Sequence, residues 1–115
     1  MTTKKVVYFV SLSSNVPYVL KEALQKADEK NEVQIFFDLD GAHALDQRYL
    51  KQLNRTHGTD LEFLLKAALD SGVKLYGCQM NVLIEDGLVT VDGVELAGVA
   101  TFLETAYQAD DVLSY

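Results

Sequence analysis

Short apolar runs along this chain alternate with stretches in which apolar residues recur every three or four positions. The first pattern suits strands buried on both faces, the second helices with one buried side. Their alternation predicts βαβ units around a parallel sheet. Val6 to Val10 is an unbroken apolar run and predicts a buried strand, with Leu12 as its furthest extent. Asn15 stands where a helix N-cap belongs, and Pro17 suits a first helical turn. Val16, Val19, Leu20, Ala23, Leu24 and Ala27 then share one helical face. Val33 to Leu39 predicts a second strand. The spacing of Ala42, Leu45, Tyr49 and Leu53 predicts a helix from about Ala42 to Leu53.

Thr59 and Glu62 form a capping box ahead of Leu61, Leu64, Leu65, Ala68 and Leu69. Gly72 is placed to end that helix in the left-handed conformation. Val73 to Gly77 predicts a third strand, with Cys78 immediately after it. The segment from Leu88 to Leu96 supports two readings. Its alternation around Asp92-Gly93 is a hairpin signal. The other reading is a loop, a short strand from Val94 to Leu96, and a crossover helix carrying Val99, Phe102, Leu103 and Ala106. The second is preferred, because every other unit alternates strand and helix. Val112 to Tyr115 predicts a last strand. The expectation is one α/β domain over residues 1–115, with a mainly parallel sheet of about five strands.

Composition narrows the function classes. Half of the 115 residues are apolar, enough for a core without staples. The net charge is −7, and the basic residues are scattered, with Lys4–Lys5 and Arg48–Lys51 the nearest groupings. Phosphate binding needs clustered Lys and Arg, so nucleic acid and anionic membranes are not expected partners. No run approaches the roughly 20 apolar residues of a membrane span, and Val6–Val10 is too short for a signal-peptide core. A lone cysteine forms no internal disulfide, so a reducing cytoplasm is the expected compartment.

Ligands of open parallel sheets bind outside the carboxyl ends of the strands. The first strand delivers Ser11, Ser13, Ser14 and Asn15 to that edge, the second Asp38, Asp40, Gly41 and His43, the third Gly77, Cys78, Gln79 and Asn81. Cys78 is the candidate for chemistry, and Ser13, Asn15, Asp38, His43, Gly77, Gln79 and Asn81 are candidate pocket residues. A nucleophilic cysteine must reach its thiolate form, which a helix N-terminus favours. A short helix from Gln79 to Ile84 would supply one, and Gly77 would allow a tight turn before it. Asp38 and Asp40, if near, would raise the thiol pKa. The competing reading is a buried cysteine acting as a small apolar residue.

The segments Leu75-Tyr76-Gly77-Cys78-Gln79-Met80 and Gly93-Val94-Glu95-Leu96-Ala97-Gly98-Val99-Ala100-Thr101-Phe102-Leu103 resemble the small DsrE/DsrF-like proteins. Ile35-Phe36-Phe37 and the late Ala109-Asp110 step fit the same pattern, in order and spacing over essentially the whole chain. Asn81 stands where that family often has Ser, and Leu83-Ile84-Glu85-Asp86 differs from its usual Met-rich loop. The resemblance implies a three-layer α/β/α sandwich that assembles into homo-trimers or hexamers. It further implies a persulfide-bearing cysteine, mapping onto Cys78, that takes sulfur from a donor protein and passes it to an acceptor. That transfer requires no metal and no organic cofactor. The rival expectation is a non-catalytic assembly or regulatory subunit with the same fold.

Other constellations carry less. Phe36-Phe37-Asp38-Leu39-Asp40-Gly41 imitates the first motif of Mg-dependent haloacid-dehalogenase-type phosphatases. It follows the second strand instead of the first, and Ala42 replaces the usual Thr or Val. The plainer reading of Asp38 and Asp40 is a loop that caps the next helix. His43 and His57 are the only histidines, and with one Cys they make no recognised metal-ligand spacing. The six tyrosines read as core edges or subunit contacts.

Overall fold

A computed structural model describes residues 4–38, 45, 61–78 and 93–115. Five strands, β1 (Lys5–Val10), β2 (Glu32–Phe37), β3 (Lys74–Cys78), β4 (Glu95–Ala97) and β5 (Asp111–Ser114), form one sheet in the order β4-β3-β2-β1-β5. Every pairing among them is parallel. Three helices are described: α1 (Val16–Asp28), α2 (Leu61–Asp70) and α3 (Val99–Gln108).

Residue alternation along the strands sorts the helices into layers. Tyr8 and Val10 of β1, Ile35 and Phe37 of β2 and Leu75 of β3 share one core with Val19 and Leu20 of α1 and Leu61 and Leu65 of α2. The intervening residues meet α3 on the opposite face. There the Phe102 ring lies 4.8 Å from that of Phe9 and 5.2 Å from that of Phe36, and Phe36 stacks on Tyr76 at 4.6 Å. The domain is therefore the expected α/β/α sandwich. The topology explains the third layer. From β1 to β3 the chain steps in one direction across the sheet, but β4 to β5 crosses back over its whole width. With one crossover hand throughout, reversing direction puts the connecting helix on the other face.

Leu88 to Leu96 resolves in favour of the parallel reading at its described end: β4 pairs with β3 in parallel, Tyr76 opposite Glu95 and Cys78 opposite Ala97. All five strands are offset from their expected limits by a residue or two, β4 covering Glu95–Ala97 instead of Val94–Leu96. β1 stops at Val10, short of Leu12, and β2 stops at Phe37, short of Leu39. β5 covers Asp111–Ser114, although the Tyr115 N–H still donates to the Phe9 carbonyl at 2.8 Å. β3 runs through Cys78, because β4 continues the ladder beside it.

The caps hold one correction. Asn15 does not cap α1 with its side chain. It closes a 3-10 turn, Ser13–Asn15, that runs straight into the helix, and its N–H donates to the Leu12 carbonyl at 3.1 Å. At φ −92 and ψ −8 its backbone is already helical, which removes the extended geometry a side-chain cap uses. At the other end of α1 the N–H groups of Lys30 and Asn31 donate to the carbonyls of Ala27 and Lys26. The N–H groups of Gly72 and Val73 repeat this after α2, on Leu69 and Ala68. Both ends are the double-bonded left-handed cap, with Gly72 at φ +87 and Lys30 at φ 68. The predicted helix from Ala42 to Leu53, apart from the buried Leu45, and the cap residue Thr59 lie outside the described residues.

Candidate functional site

The carboxyl edge of the sheet is one row of backbone. Val10 pairs with Phe37, Phe37 with Gly77, and Gly77 with Leu96. One step further out, Cys78 pairs with Ala97, and the same register brings Asp38 of the β2 exit level with Cys78. The Asp38 N–H donates to the Val10 carbonyl at 3.0 Å, so the β1–β2 ladder holds Asp38 at this level. Gly77 is buried in β3, one residue before the cysteine.

The chain leaves the neighbouring strands in opposite directions. Beyond β2 it reaches α2 on the α1 side, whereas β4 passes through Gly98 directly into α3 on the other side. β3, with Cys78 at its tip, lies between these two exits. Such a parting of connections is where open α/β sheets form their crevice.

Two electrostatic influences meet there. α3 starts two residues after Ala97, the register partner of Cys78, so the positive end of its dipole lies at this edge. The expected helix start at Gln79 lies outside the described residues, and α3 offers a second source of the same field. Its signal was present in the sequence as the Gly98-Val99 junction, but only the β3–β4 pairing brings it beside Cys78. Against it stands the Asp38 carboxylate one strand away, which disfavours a thiolate.

Of the expected pocket residues, Asp38, Gly77 and Cys78 come together on adjacent strands. Ser13 and Asn15 lie in the turn after β1, two strands from β3. His43, Gln79 and Asn81 lie outside the described residues, as do Leu39 and Asp40 of the phosphatase-like motif. Ser11 has a structural task, since its N–H and Oγ both donate to the Tyr115 carbonyl, at 2.8 and 3.2 Å. No group of three or more metal-ligating side chains occurs among the described residues.

A polar cluster that the sequence reading missed lies under the α1 layer. The Tyr8 hydroxyl donates to Glu22 Oε1 at 3.1 Å and the Tyr115 hydroxyl to Glu22 Oε2 at 3.3 Å. Burial, and then the Glu22 carboxylate, push the Tyr8 phenol well above the ordinary tyrosine value. A hydrogen bond to Glu22, then one to Tyr115, push Tyr18 up to about 12. The helical spacing of Tyr18 and Glu22 was the available signal, but their meeting with Tyr8 and Tyr115 depends on β1–β5 pairing.

Comparison with known proteins places this architecture. The profile of the DsrE/DsrF/DrsH-like family matches residues 19–113. The chain belongs to that family. Among solved structures, this DsrE-like chain is similar to the YchN protein from E. coli, with a TM-score of 0.77 at 16% identity, covering 99% of this chain and 100% of the other. At that identity the likeness speaks for the fold. None of the curated proteins matches the chain in sequence. The DsrE-like family assignment covers Gly77, Cys78 and the β4–α3 junction, the segments that form the edge described above.

Proposed function

We propose that this protein is a sulfur carrier in which Cys78 holds a persulfide. The observation that carries the reading is positional. The only cysteine of a DsrE-like chain ends a central strand at the carboxyl edge, between exits to opposite faces, with a helix N-terminus beside its register partner.

The step balances without metal or cofactor. The Cys78 thiolate attacks the outer sulfur of a donor protein's persulfide. A new S–S bond forms, the donor's S–S bond breaks, and the donor thiolate leaves. Transfer onward repeats the exchange, with an acceptor thiolate attacking and the Cys78 thiolate leaving. Because the two exchanges are alike, the α3 dipole favours both the attacking and the departing thiolate.

Homo-oligomeric assembly belongs to the same proposal. Leu103 and Tyr107, one helical turn apart on α3, are 59% and 92% exposed, and apolar exposure of this kind is commonly covered by another subunit. Sedimentation at micromolar concentration tests it, and a monomer there counts against it. A reducing cytoplasm is the compartment proposed. No helix among the described residues is long and apolar enough to cross a membrane.

Exposure to a cysteine desulfurase and free cysteine, followed by mass spectrometry, tests the carrier role. The wild-type chain is expected to gain the mass of one sulfur atom, removable by a thiol reductant, and Cys78→Ser is expected to gain none. Iodoacetamide should label the native thiol faster than free cysteine at neutral pH. If Cys78 takes no sulfur and labels only after unfolding, the carrier reading fails and the non-catalytic subunit is what remains.

A further inference from the structure

We draw no further inference here: the strongest candidate, the exposed apolar surface made by Leu103 and Tyr107 of α3 and Val112 of the edge strand β5, belongs to the face already proposed for assembly, and nothing in the structure shows what covers it.

Discussion

Tyr8→Phe removes one oxygen from the middle of the α1 layer and leaves the ring in place. Tyr8 is fully buried, and its hydroxyl donates to the Glu22 carboxylate, which also receives the Tyr115 hydroxyl. A hydrogen bond to a charged group contributes about 1.5–3 kcal/mol. Glu22 is part-exposed, so water replaces some of the lost bond, and the expected cost is about 1.5 kcal/mol. For a domain of this size that corresponds to a fall in Tm of roughly 6 °C. The pH dependence separates this cause from loosened packing. Folding raises the Tyr8 pKa above its unfolded value, so its stabilisation is complete below about pH 10 and is lost as pH rises from there through the folded value. Wild type then loses about 1.4 kcal/mol per pH unit through Tyr8, and Tyr8→Phe does not. The gap between the two proteins should close near about pH 11. Urea unfolding followed by circular dichroism at pH 7, 9, 10 and 11 measures it. Equal stability at pH 7, or a gap that stays constant to pH 11, would refute the reasoning.

Three further outcomes are expected. Lys30→Gly should stabilise the fold by about 0.5–1 kcal/mol in urea unfolding, because a lysine occupies the left-handed cap position of α1. Gly93→Ala should cost about 2 kcal/mol and Gly72→Ala only about 1 kcal/mol. Both glycines have positive φ, but a Cβ at Gly93 would lie 3.0 Å from Leu69 Cδ1 whereas at Gly72 it meets open space; equal losses would contradict the contact. Asp38→Asn should speed iodoacetamide labelling of Cys78 at neutral pH, since it removes a negative charge from the strand beside Cys78; an unchanged rate would contradict it.

The layers were legible in the sequence because burial writes periodicity directly. Continuous apolar runs marked β1 and β2, and a three-to-four spacing marked the faces of α1 and α2. Gly72 announced its cap because glycine adopts positive φ without penalty, while Lys30 takes the same conformation without any such signal. Asn15 looked like a side-chain cap until the preceding 3-10 turn set its backbone.

Local pattern by itself determined that Cys78 would fall at the end of the third strand. Which groups surround it was a matter of strand order. Residues 38, 78 and 97 are far apart in sequence and adjacent only because β2, β3 and β4 are neighbours in the sheet. The same holds for Glu22 between Tyr8 and Tyr115. Periodicity records which face a residue buries, whereas register and crossover direction are settled by packing across the whole sheet. Only the folded chain brings the α3 dipole and the Asp38 carboxylate to the edge where Cys78 ends its strand.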